Sequence, residues 1–120
     1  MFELTVRGDF SSAHFLRDYD GQCRNLHGHT WKVAVTIAGD TLNGIGVMAD
    51  FVEMKRHLKA ILAGLDHSCL NEQEYFKEHN PTAENLARYI YAQYKNVIAP
   101  LRLVKVQLWE SEKADVVYYE

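Results

Sequence analysis

Two runs of strict alternation, Phe2, Leu4, Val6 and Phe10 in one and Trp31, Val33, Val35 and Ile37 in the other, restrict the fold of this chain more than any other feature. Side chains of an extended strand point alternately to opposite faces, so each run predicts a strand with one buried face. A loop carrying Cys23 joins them. The period then changes. In "VMADFVEMKRHLKAILAG", Phe51, Met54, Leu58, Ile61, Leu62 and Leu65 recur at helical spacing, with Asp50 as N-cap and Gly64 as the stop. "NPTAENLARYIYAQYKNVI" predicts a second helix, capped by Thr82, with Leu86, Ala87, Ile90, Tyr91 and Tyr94 along one stripe. "LVKVQLWE" and "DVVYYE" are the last two strands, separated by "SEKA". The order ββααββ predicts an α+β fold, an antiparallel sheet with two helices on one face. Pro81 and Pro100 fall at element ends, and no repeat or linker divides the chain, which points to a single domain over residues 1–120.

A chain of 120 residues buries roughly two-thirds of its unfolded surface, so neither metal nor disulfide is needed merely to fold it. No apolar run approaches the length of a membrane span, and "MFELTVRGDF" lacks the layout of a secretory signal. The expectation is a cytoplasmic protein whose only cysteines, Cys23 and Cys69, are thiols. A net charge of −3 with scattered Lys and Arg argues against binding nucleic acid through its phosphates. The expected partner is a small molecule.

Chemistry concentrates in "CRNLHGH". His27 and His29 lie two apart at the start of a strand, so they share a face and can chelate one ion. His14, near the end of the first strand, returns beside them if the intervening loop closes. Three imidazoles from adjoining strands make an open zinc site, with a fourth position for water or substrate. Cys23 is either a fourth ligand, closing the site into a structural one, or a thiol made available as a base by nearby positive charge. In "LDHSCLN", Asp66 stands beside His67, where a carboxylate can fix the tautomer of an imidazole and stabilise its cation; the alternative is an ordinary polar loop. Cys69 reads as a small apolar filler, and His57 and His79 as solvated. Glu110 continues the row Val104, Val106, Leu108. Either the strand has left the core by that point, or the carboxylate accepts two parallel hydrogen bonds from an amidine-like ligand edge.

"FSSAHFL", "CRNLHGHTW", "GVMADF", "LDHSCLN", "NPTAEN" and "WES" occur in an order that resembles the 6-pyruvoyl-tetrahydropterin synthase family over nearly the whole chain. A cysteine four positions before the HxH pair is similar to its 6-carboxytetrahydropterin synthase branch, which serves queuosine biosynthesis. The resemblance implies the tunnelling fold, whose ββααββ subunits join through their sheets into a barrel, a homo-oligomer built on trimers such as a hexamer, with active sites between subunits. It also implies zinc on His14, His27 and His29, Cys23 as the proton-transferring base, Asp66 with His67 as a relay, Glu110 as the pterin anchor, and Thr82 as a further pterin contact. The implied reaction converts 7,8-dihydroneopterin triphosphate to 6-carboxy-5,6,7,8-tetrahydropterin with loss of acetaldehyde and triphosphate. Ser12, where the family often has alanine, and Ser111, where threonine is usual, depart from the pattern without touching the expected ligands.

Three other readings compete: elimination of triphosphate alone, as in the pyruvoyl branch; a zinc hydrolase; and a non-catalytic zinc or pterin carrier. A hydrolase would more usually carry a carboxylate beside its ligands, and "HGHTWKV" has none. A carrier would not need Cys23, Asp66 and His67 together.

Overall fold

The computed structural model describes all residues 1–120. Its regular elements are β1 (Phe2–His14), β2 (His27–Gly39), α1 (Phe51–Ala63), β3 (Ser68–Cys69), α2 (Glu74–Glu78), α3 (Ala83–Ile98), β4 (Arg102–Ser111) and β5 (Ala114–Tyr118). They form one sheet in the order β3-β1-β2-β4-β5. Every pairing is antiparallel except that of β3, which lies parallel to the end of β1 with Ser68 opposite Ser12 and Cys69 opposite Ala13. The expected α+β scheme therefore stands, with β3 and α2 added between its two long helices. Neither addition has a readable period. A two-residue strand has no alternation, and α2 buries a single side chain, Phe76.

Both long helices begin where their caps predict. Asp50 Oδ1 accepts the Val52 N–H at 2.8 Å, and Thr82 Oγ1 accepts the Asn85 N–H at 3.1 Å. Met54, Leu58 and Leu62 of α1, with Leu86, Ile90 and Tyr94 of α3, pack onto Val6, Phe10, Trp31, Val33, Val35 and Ile37 in one cluster of 21 buried residues. Phe51, expected on the buried stripe, is half exposed, because it opens α1 three residues before the first side chain the core takes in. Full burial of a large aliphatic side chain contributes about 1.5–3 kcal/mol. Stability thus comes from the apolar middle of the sheet, and its end near His14 is left to carry polar groups.

The expected row on β4 is interrupted. Thr36 pairs with Lys105 and Ile37 with Leu103, so Val104 is the extra residue of a bulge. Leu103 turns inward in its place, while Val106 and Leu108 stay buried. Beyond them, the alternation carries Glu110 to the face covered by the helices.

Candidate metal centre and its surroundings

The register of β1 with β2 builds the centre. Phe10 pairs with Trp31, Ser12 with His29 and His14 with His27, so alternation puts all three imidazoles on the helix face. Their ring centroids are 4.5 Å apart for His14 and His27, 4.8 Å for His27 and His29, and 5.1 Å for His14 and His29. One nitrogen from each lies within 4.8 Å of the other two.

Two backbone carbonyls set the protonation pattern. His14 Nδ1 is 2.7 Å from the Pro81 carbonyl and His27 Nδ1 is 2.6 Å from that of Asn25. A carbonyl can only accept, so each Nδ1 carries the proton and each Nε2 keeps a lone pair. His14 Nε2 and His29 Nε2 are buried with no hydrogen-bond partner. Desolvation pulls both imidazoles below the ordinary value of 6.5, and the Glu110 charge opposes it at each. Three imidazoles, two of them oriented by backbone acceptors and two with a buried, unpaired Nε2, fit a divalent ion with an open coordination position. Trp31 lines the cluster edge-on, 5.1 Å from His14 and 5.2 Å from His29 between ring centroids. Its Nε1 and the hydroxyl of Ser12 are also buried and unpaired.

Glu110 stands at the rim of this cluster. Its Oε1 is 3.9 Å from His29 Nε2, too far for a hydrogen bond, and its side chain is 35% exposed. The carboxylate is free to accept from a ligand resting against the histidines.

Asp66 and His67 lie at the outer edge of β1. Asp66 Oδ1 accepts the Ser11 N–H at 2.8 Å, and Asp66 Oδ2 meets His67 Nδ1 at 2.9 Å. The Ser11 amide first, and then the His67 imidazole, hold the Asp66 carboxyl below the ordinary carboxylate value. The His67 N–H donates to the Ser11 carbonyl at 2.6 Å. Its φ of 55° is left-handed backbone, unusual for a residue with a side chain. The imidazole is 84% exposed. A shallow depression lined by Ser12, His29, His67 and Cys69 runs between this pair and the histidine cluster.

Cys23 lies in a single turn, Gln22–Arg24, of the loop between β1 and β2, half-buried and unoxidised. It does not join the three imidazoles in the ligand cluster. Cys69 is also a free thiol, half-buried on β3. Thr82 caps α3 and directly follows Pro81, whose carbonyl holds His14. His57 is half-buried, and His79 is exposed, stacked on Tyr75. The sequence reading missed the Pro81 and Asn25 carbonyls, since a main-chain acceptor leaves no mark in residue type. It also missed the role of Trp31 as a wall of the cluster. That one was readable, because Trp31 continues the alternation of His27 and His29.

A family model described as 6-pyruvoyl tetrahydropterin synthase matches residues 3–120. The chain is 30% identical over 142 aligned positions to a 6-carboxy-5,6,7,8-tetrahydropterin synthase of Haemophilus influenzae, with all of both chains covered. It is 32% identical to the human 6-pyruvoyl tetrahydrobiopterin synthase, over 97% of this chain and 90% of that one. The Caenorhabditis elegans 6-pyruvoyl tetrahydropterin synthase superposes with a TM-score of 0.91 at 27% identity, covering 99% of this chain and 95% of that one. With the match running from the first strand to the last residue and the fold superposing throughout, the chain belongs to the 6-pyruvoyl tetrahydropterin synthase family.

Proposed function

We propose that this chain is a zinc-dependent pterin lyase of the 6-carboxytetrahydropterin synthase type. Its reaction takes 7,8-dihydroneopterin triphosphate and water to 6-carboxy-5,6,7,8-tetrahydropterin, acetaldehyde and triphosphate, in the cytoplasmic supply of queuosine precursors. The observation that carries this reading is the convergence of three imidazoles, two of them with a buried and unpaired Nε2, with a carboxylate at their rim.

His14, His27 and His29 would hold the ion, which when bound supplies a Lewis acid for the hydroxyl or ketone oxygens of the substrate side chain. Glu110 accepts from the 2-amino group and the adjacent ring N–H of the pterin, a two-donor edge that a carboxylate matches. That contact orients the ring so that its side chain reaches the histidines. Cys23 takes and returns protons on the three-carbon side chain. Asp66 keeps the Nδ1 proton of His67 in place and stabilises the imidazolium, so His67 Nε2 is the atom that moves a proton. Thr82 reaches the pterin only secondarily, since its hydroxyl already caps α3. One domain of this kind, assembled in trimers or a hexamer, would complete the site between subunits.

The test is mass-spectrometric identification of the product after incubation with dihydroneopterin triphosphate and zinc. A 6-carboxy product with acetaldehyde supports the proposal. A 6-pyruvoyl product would move the chain to the other branch, to which the human relative belongs by name. Unchanged substrate, with zinc and pterin bound, would make it a carrier.

A further inference from the structure

β1 is longer in effect than its paired residues. After His14 the partnership with β2 ends, yet the chain stays hydrogen-bonded at both edges as far as Arg17. On the outer edge two asparagine side chains replace a neighbouring strand. Asn71 accepts the Phe15 N–H at 3.0 Å and donates to the Phe15 carbonyl at 2.9 Å. Asn80 does the same for Arg17, accepting at 2.9 Å and donating at 3.0 Å. An amide side chain carries one acceptor and one donor group, the same pair that a strand neighbour would offer. On the inner edge, the residue between these two sends its amide the other way: Leu16 N–H donates to the Cys23 carbonyl at 2.7 Å. Residues 15 and 17 facing one edge and 16 the other is the alternation of a strand.

The clamps are themselves anchored. Asn71 belongs to the turn Leu70–Glu72 that follows β3. The Asn80 carbonyl accepts from Thr82 N–H at 2.7 Å and from the Asn85 side chain at 2.9 Å at the start of α3. Arg17 reaches back to the Phe76 carbonyl at 2.7 Å. Immediately afterwards Asp18 takes a left-handed φ of 58° and the loop turns away toward Cys23. Six residues separate Leu16 from Cys23, and no other backbone hydrogen bond ties Cys23 to β1.

We infer that Asn71 and Asn80 are positioning residues for the Cys23 thiol: by holding Phe15 and Arg17 as a strand would, they fix Leu16, and Leu16 fixes the turn on which the sulfur sits. This inference rests on the proposed role of Cys23 as proton-transferring base. Both asparagine side chains spend their amide groups on the Phe15 and Arg17 main chain, so in this inference their removal acts on the rate of the proton step and leaves binding alone. A misplacement of about 1 Å in such a group costs up to roughly 10²-fold.

The experiment compares Asn71→Ala, Asn80→Ala, Asn71→Asp and Asn80→Asp in the zinc-loaded, assembled enzyme, alone and combined with Cys23→Ala. Each alanine variant is expected to lower kcat by about 10- to 100-fold at unchanged KM and zinc content. Hydrogen exchange at the Leu16 amide should quicken, and the rate of Cys23 alkylation should change against Cys69 as internal reference. Added to Cys23→Ala, the same substitutions should lower turnover no further, because they act through that residue. The aspartates keep the acceptor and lose the donor, so they should fall between wild type and alanine, and they carry the test if an alanine variant does not fold. Wild-type kcat and Leu16 protection in the asparagine variants, with Cys23→Ala inactive, would overturn the inference while sparing the base. Full turnover by Cys23→Ala would overturn the base itself, and the Leu16 exchange and alkylation rates would then still decide whether the clamps hold the loop.

Discussion

The two titratable clusters flanking the end of β1 are built on opposite principles. His14, His27 and His29 are sheltered against Trp31, with two free nitrogens buried and unpaired. Asp66 and His67 are exposed and bonded to each other, with the carboxylate also held by the Ser11 amide. A buried polar atom without a partner is costly, of order 1–3 kcal/mol, and a ligand of the right chemistry would remove that cost. The proton exchange proposed for the pair would need the reverse: contact with its surroundings and a partner that fixes its tautomer. Left-handed backbone at His67 is the strain on that side. Each cluster therefore departs from ordinary packing in the way its proposed task requires.

The largest effect separating the two should come from the metal. His27→Ala is expected to abolish zinc binding while the chain stays folded, since His27 lies outside the apolar cluster; His67→Ala should keep its zinc. Metal analysis and circular dichroism on both variants check this, and equal zinc contents would erase the distinction.

Glu110→Gln should weaken pterin binding by roughly 10- to 100-fold at unchanged zinc content, because the amide turns one acceptor into a donor facing the ligand's donors. Calorimetry with a pterin measures it. Unchanged affinity would return Glu110 to a purely structural place on β4.

The pH response of the metal-free protein sharpens the contrast. Folded His14 and His29 titrate below the 6.5 of the unfolded chain, so the unfolded state binds protons first as pH falls. Stability should therefore be greatest above about pH 6.5, decline between that value and the lowered folded ones, and then level off. Thermal melting of chelator-treated protein across this window follows it, and replacing His14 and His29 together by Gln should flatten the decline. For Asp66 the sign is that of a carboxylate held low, with stability lost only at much more acidic pH.

Smallest is the strain itself. His67→Gly should raise the melting temperature by roughly 2–6 °C by relieving left-handed backbone, while turnover falls. A lower melting temperature would mean that the exposed pair with Asp66 contributes more than such pairs usually do.

Alternation and helical spacing, read along the chain, were enough for β1, β2, both long helices and the common face of His27 and His29, because those patterns are properties of consecutive residues. Asp50 and Thr82 were legible as caps for the same reason, since a cap acts within four residues of itself. What tertiary structure alone decided lies at longer range. The register that sets His14 opposite His27 comes from pairing whole strands, and the bulge at Val104 from fitting β4 to β2. The tautomer of His14 depends on a carbonyl 67 residues away. Asn71 and Asn80 stand in "LDHSCLN" and "NPTAEN" with no periodicity or cap pattern to mark them. Hydrogen bonds across 56 and 63 positions made them stand in for a strand, and no local spacing encodes a partner that distant.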